Sequence, residues 1–352
     1  MASQVYYIKE LDKVDKLFDR ADLGRIISKD DFVALKIHFG ERGNHAFIKP
    51  ERAKPLVKKV KALKGQPFWT DSNTLYKGTR HHTLSHLQTA YDHGYTSGKT
   101  GAHVLINDGL EGGSYRKLAV DHKHFKELFF GPLIFEADAL IAVTHFKGHE
   151  VTGFGGAIKN ISMGLASRAG KQQMHADFKP VVDMAACTAC GKCIESCPEN
   201  AISGDAQGKA VIDLAKCVGC GQCAVVCRFD AIESAWSGSS DSVQEKMAEY
   251  AAGISQQFKG KVAHISFITD VSENCDCYGH NSEPIVPDIG ILASFDPVAI
   301  DQASVDLVNR TEGRIRSKDK FKSLWPGVNW ETQLKHAEAI GLGSRKYELI
   351  ET

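Results

Sequence analysis

Eight cysteines between Cys187 and Cys227 constrain this chain more than any other feature. Cys187, Cys190, Cys193 and Cys197 stand at C-x2-C-x2-C-x3-C spacing and are followed by Pro198. Cys217, Cys220, Cys223 and Cys227 repeat that spacing and are followed by Arg228. Ala201-Ile202 recurs at the same offset as Ala231-Ile232, so the segment is an internal duplication. Small residues between the thiols (Ala189, Gly191, Gly219, Gly221) let the backbone curl around whatever the sulfurs hold.

The spacing is that of the bacterial ferredoxin pattern for two 4Fe-4S clusters. Three cysteines at two-residue intervals wrap one corner of a cubane, and in the two-cluster fold the fourth ligand comes from the other half. Cys187, Cys190, Cys193 and Cys227 are therefore assigned to one cluster, and Cys217, Cys220, Cys223 and Cys197 to the other. Zinc favours paired C-x2-C knuckles without a third cysteine in register. A disulfide framework belongs to short secreted chains.

With 352 residues the chain is long enough for more than one domain. Lys plus Arg and Asp plus Glu both count 43, and no basic run invites nucleic acid. The N-terminus lacks a signal-peptide pattern and no apolar stretch is long enough to span a bilayer, so a cytoplasmic, reducing setting is expected.

Strands are predicted at residues 5–8, 32–39, 67–71, 103–107 and 140–144, with helices at 50–63, 82–93 and 122–129. Beyond the cysteines, a helix at 242–258, strands at 262–268 and 289–293, and a helix opened by Asp296-Pro297 and running to about residue 310 continue the alternation. Alternating strands and helices imply an α/β fold with a largely parallel sheet. The expected organisation is a discontinuous host domain, residues 1–180 and 238–352, interrupted by a small α+β ferredoxin-like domain at 181–237. Residues near Phe178 and near Ser237 should then lie close together.

Open parallel sheets bind ligands beyond the carboxyl ends of their strands. Those ends carry His38, Glu41 and His45; Asp71 and Asn73; Asn107 and Asp108; His145, Lys147 and His149; and Asp270 with Cys275 and Cys277. Gly153, Gly155 and Gly156 precede an apolar segment bearing Lys159 and Asn160. A glycine-rich turn feeding a helix presents backbone N–H groups suited to phosphate or carboxylate, and a tight packing turn is the alternative. Arg168, Lys171 and His175 add positive charge. Cys275-Asp276-Cys277 reads as a second metal site, with His280 or a histidine from another loop, as a reactive thiol, or as two reduced, partly buried cysteines. His81, His82, His86 and His93 read as mostly surface or packing residues.

Several stretches resemble the family labelled domain of unknown function 362, here with an inserted ferredoxin module. They are Lys36-Ile37-His38-Phe39-Gly40-Glu41, Asp71-Ser72-Asn73-Thr74-Leu75-Tyr76, Lys147-Gly148-His149, Gly153 through Asn160, Asn274-Cys275-Asp276-Cys277, and Asp288-Ile289-Gly290-Ile291 continuing to Asp296-Pro297-Val298-Ala299-Ile300-Asp301. The resemblance implies an iron-sulfur protein of anaerobic or facultative metabolism with a redox role. Arg228 departs from the proline that often follows the last cluster cysteine.

The functional expectation is an electron-transfer protein, an oxidoreductase or redox subunit, with two 4Fe-4S clusters. Its α/β domain would bind a small anionic ligand, an organic cofactor or a further metal. A carrier without its own substrate and a cluster or metal delivery protein are the alternatives. Between Asp183 and Glu233 seven acidic residues face four basic ones, which suits a basic redox partner. Homo-oligomers remain open at this level.

Overall fold

The computed structural model describes residues 2–175, 180–197, 199–217, 221–232 and 238–352. An eight-stranded sheet runs through it: β1 (Ser3–Ile8), β2 (Phe32–Ile37), β3 (Gln66–Asp71), β4 (His103–Ile106), β5 (Ala139–His145), β6 (Val262–Ile268), β7 (Gly290–Ser294) and β8 (Tyr347–Glu351). Their spatial order is β8-β1-β7-β6-β5-β2-β3-β4. β7 is antiparallel to both neighbours, and every other pairing is parallel. Strands from before and after the cysteine-rich segment meet at the centre, where Leu140 lies opposite Val262.

The central strands β5 and β6 are buried along their whole length, as largely apolar strands in a sheet covered on both faces should be. Alternation divides their side chains between two cores. Ala139, Ile141 and Val143 join one with the helices Val14–Arg20 and Pro50–Ala62, and Leu140 and Ala142 join the other with the helix Ser240–Gln257. Val33, Leu35 and Ile37 of β2 face the first core, which sends Lys36 to the second face. The helix Pro297–Arg310 starts as its sequence predicts: Asp296 Oδ1 accepts from the N–H groups of Val298 and Ala299 at 2.8 and 3.0 Å.

The helix expected at 122–129 is not formed. Glu127–Phe130 is a strand paired antiparallel with Arg116–Ala119, Leu118 opposite Leu128. The apolar spacing that imitated a helix serves a hairpin instead, with Leu128, Phe129 and Phe130 all buried.

In the cysteine-rich segment the duplication is visible in the backbone. Gly191 and Gly221 both adopt left-handed φ, 74° and 67°, ahead of the short helices Lys192–Glu195 and Gln222–Val226. The repeated pairs Ala201-Ile202 and Ala231-Ile232 are all buried. Phe178, Ser237 and Cys220 lie outside the described residues; the nearest described flanks, His175 and Gly238, are joined by a 2.9 Å bond from the Gly238 N–H to the His175 carbonyl. Among the described residues no helix is long and apolar enough to cross a membrane.

Candidate functional site

Polar loops after β2, β3, β5 and β6 enclose a cavity of about 610 Å³ on the face to which Lys36 points. Its charged groups are organised around two buried carboxylates. Asp71 Oδ1 lies 3.0 Å from Lys36 Nζ, and Asp71 Oδ2 lies 3.4 Å from Arg80 Nη1 and 3.6 Å from His86 Nε2. Burial disfavours its charge, but Lys36 and His86 outweigh that and hold the carboxyl well below its usual range. Burial also lowers the Lys36 ammonium, against the pull of Asp71. Lys36 Nζ donates to Asn160 Oδ1 at 2.8 Å.

The second hub is Asp276. Its Oδ2 is 3.3 Å from His38 Nδ1 and 3.2 Å from His145 Nδ1, and its Oδ1 is 3.0 Å from Lys147 Nζ. Burial is again overcome, here by His38 and Lys147, and the carboxyl is held well below normal. His145 Nε2 faces the Thr269 carbonyl at 2.7 Å. The loop carrying Asp276 is tied to the loop after β2: Glu41 N–H donates to the Asp276 carbonyl, and Asn44 Nδ2 to the Tyr278 and His280 carbonyls.

Cys275 and Cys277 flank this hub and line the cavity. Cys275 Sγ donates to Asp276 Oδ1 at 3.5 Å. The neighbouring Cys277 side chain, with Lys159 and Lys147 nearby, holds the Cys275 thiol well below its ordinary value against burial, while Cys275 and burial push Cys277 well above. Lys159 Nζ is 3.8 Å from Cys275 Sγ. Among the described residues neither Lys159 nor Lys171 has a carboxylate within ion-pair distance, so the wall they form with His149 and His175 is net cationic. Burial brings Lys171 down to about 8 and, with Lys159, brings His175 down to about 3 and His149 well below normal.

The sequence-predicted residues His38, Asp71, His145, His149, Gly155, Gly156, Lys159, Asn160, Cys275 and Cys277 all line this cavity. Gly153 and Asn73 are not among its lining residues. Gly153 packs on Trp330, and Asn73 is buried beneath, donating to Asp108 Oδ1 at 2.8 Å. At the helix start after Gly156 two donors are already taken: Asp301 Oδ1 accepts from the Ala157 N–H at 2.6 Å and Oδ2 from the Ile158 N–H at 3.0 Å. Positive charge beside that turn comes from the Lys159 side chain.

Arg80 and Tyr76 were not anticipated. Arg80 Nη2 donates to the Tyr76 hydroxyl at 2.5 Å, and Arg80 Nε lies 3.4 Å from Glu41 Oε2. Lys36 had a legible signal, a lysine inside the otherwise apolar strand β2, where charge is stable only if paired.

Two smaller cavities lie in the cysteine-rich segment. One is lined by Cys187, Cys190, Cys193 and Cys227, the other by Cys197, Cys217 and Cys223. The backbone N–H of Ala201 donates to Cys197 Sγ at 3.2 Å. Among the described residues no group of three or more His, Cys, Asp or Glu side chains is gathered to hold a single metal ion. The helix Arg168–His175 separates this segment from the large cavity. Lys171 and His175, four apart, line the cavity, whereas Gln172 on the adjoining face meets Gly221. A Cβ on Gly221 would stand 2.0 Å from Gln172 Cγ, so this cysteine-bearing loop is seated by direct backbone approach.

The fold is thus an α/β domain with a polar cavity at the carboxyl ends of its parallel strands. The chain belongs to the family described as Domain of unknown function (DUF362), whose model matches residues 33–306. No curated protein matches it. Among solved structures it is similar to the lactate racemase apoprotein of Thermoanaerobacterium thermosaccharolyticum, at 14% identity and TM-score 0.41, covering 84% of this chain and 54% of that one. It is also similar to a structural-genomics protein from Thermotoga maritima, at 10% identity and TM-score 0.47, covering 87% of this chain and 60% of that one. The chain thus spans less than two thirds of either relative.

Proposed function

We propose that this chain is an iron-sulfur electron-transfer protein, an oxidoreductase or redox subunit whose α/β domain binds a small anionic ligand beside two 4Fe-4S clusters. The observation that carries the reading is the partition of the cysteines. Three thiols of the first repeat share a cavity with Cys227 of the second, and Cys197 of the first shares the other cavity with Cys217 and Cys223. Crossed ligation requires that exchange. A cubane gives each thiolate its own iron, so its ligands surround a cavity and need not meet at a point. Bound there, the clusters would supply one-electron transfer.

The chain's own residues do the rest. Gly191 and Gly221 turn the backbone ahead of the two short cysteine-bearing helices, and the Ala201 N–H stabilises negative charge on Cys197. Lys159 and Lys171 attract an anion into the large cavity, while Asp71 and Asp276 fix the cationic groups that shape it. In this reading residues 181–237 are a ferredoxin-like insertion in a host domain of residues 1–180 and 238–352. A basic redox partner would supply or remove electrons in a reducing compartment.

Anaerobic purification followed by iron and acid-labile sulfide analysis tests it. About eight of each per chain is expected, with the electron paramagnetic resonance of reduced cubanes. Zinc or no metal at those thiols would overturn the proposal.

A further inference from the structure

The thiols of Cys275 and Cys277 are unused by the proposed clusters, yet both line the large cavity, two positions apart in one loop, with the Lys159 ammonium 3.8 Å from Cys275 Sγ. Cys275 is 3% exposed, and the turn that carries it is closed by the Tyr278 N–H bonding the Cys275 carbonyl at 3.1 Å. Asp276, between them, is held by His38, His145 and Lys147 and also accepts from Cys275 Sγ at 3.5 Å, which anchors the pair at the cavity wall. Two thiols so placed, with a cation beside one, have the parts of an attacking and a resolving cysteine.

We propose that Cys275 and Cys277 form a redox dithiol that reduces a small anionic disulfide admitted to the cavity, Cys275 attacking and Cys277 resolving. The Cys275 thiolate attacks one sulfur of R–S–S–R, forming a mixed disulfide as the substrate S–S bond breaks and RS⁻ leaves. Cys277 gives its proton to that leaving thiolate, then attacks Cys275 Sγ and expels the second RS⁻. Two electrons have passed from the pair to the substrate, and the products are an internal disulfide, RSH and RS⁻. Lys159 keeps the attacking sulfur anionic, and the cationic wall draws the anionic substrate. The low position of Cys275 and the high position of Cys277 give each the protonation its role needs. This step is independent of the iron-sulfur reading: it can be present in a chain that carries no cluster, and absent from one that does.

The full-length protein, prepared anaerobically, is mixed with 5,5′-dithiobis(2-nitrobenzoate), a small dianionic disulfide whose released thiolate absorbs visibly. The wild type should release about two equivalents in a fast phase, and peptide mapping should find a Cys275–Cys277 disulfide. Cys277→Ser should release about one equivalent and retain the mixed disulfide on Cys275, whereas Cys275→Ser should lose the fast phase. Lys159→Met should slow the phase about tenfold at neutral pH and move its pH midpoint upward. Two free thiols or two aryl adducts on the wild-type peptide would refute the proposal, as would a fast phase surviving Cys275→Ser. The wild-type mapping decides the matter even where a variant fails to fold.

Discussion

The sheet domain and the cysteine-rich segment solve the problem of staying folded in opposite ways. Around the sheet, two apolar cores sandwich β5 and β6, and the cavity carboxylates Asp71 and Asp276 are paired with lysines within the protein. The described core of the cysteine-rich segment consists of Cys193, Ile202, Ala210, Cys223 and Ile232, and two of these five are thiols. Among the described residues that apolar core is small beside the backbone entropy of ordering the segment. The difference teaches that one region holds its shape through its own apolar cores, while the other has few apolar contacts among its described residues and, on the proposed reading, draws on its clusters.

The sharpest way to break that contrast is to challenge the proposed clusters with a chelator. Chelation should abolish amide hydrogen-exchange protection across residues 181–232 while the amides of β5 and β6 stay protected. A segment that stays protected without metal would show that it shares the self-sufficiency of the sheet. Within the sheet domain, Asp276→Ala strands Lys147, His38 and His145 without their carboxylate. Urea unfolding should register a loss of about 3–5 kcal/mol.

Acid provides a finer test. Burial lowers His264 in β6 to about 3 and His86 to about 4. The unfolded chain takes up these protons near pH 6.5 but the folded chain resists, so stability present above that pH is lost as pH falls through the window. Asp301, raised to about 7 by burial, runs the other way, losing stability as pH rises from its unfolded range toward 7. His264→Leu should reduce the pH slope of stability by about 1.4 kcal/mol per unit near pH 5, read from urea midpoints at several pH values. The smallest effect belongs to the seam between the regions. Lys77 and Asp230 pair at 2.8 Å on the surface, and Asp230→Ala should cost under about 1 kcal/mol and vanish at high salt.

Much of this was legible because it is local. Cysteine spacing, the apolar runs of β5 and β6, and the Asp296-Pro297 helix start are all written within a few residues of where they act. The cavity lining was partly legible, because strand ends in a parallel sheet converge. What escaped was created by tertiary approach. Arg80 and Tyr76 sit in an ordinary polar loop and gain meaning only by folding back toward Asp71 and Glu41. Asp301 caps a helix 144 residues earlier in the chain, which no local pattern reveals. The strand at Glu127–Phe130 was misread because three apolar positions fit a helix as well as a hairpin.

The pairing of β5 with β6 has a bearing on biosynthesis. Leu140 must wait for Val262, so the nascent chain exposes all eight thiols of the duplicated segment before the sheet's last three strands leave the ribosome. Through that interval one edge of β5 stays unpaired, and any assembly on the thiols begins on a half-built scaffold. Slowing translation beyond residue 227 would lengthen this window and expose the open edge to aggregation.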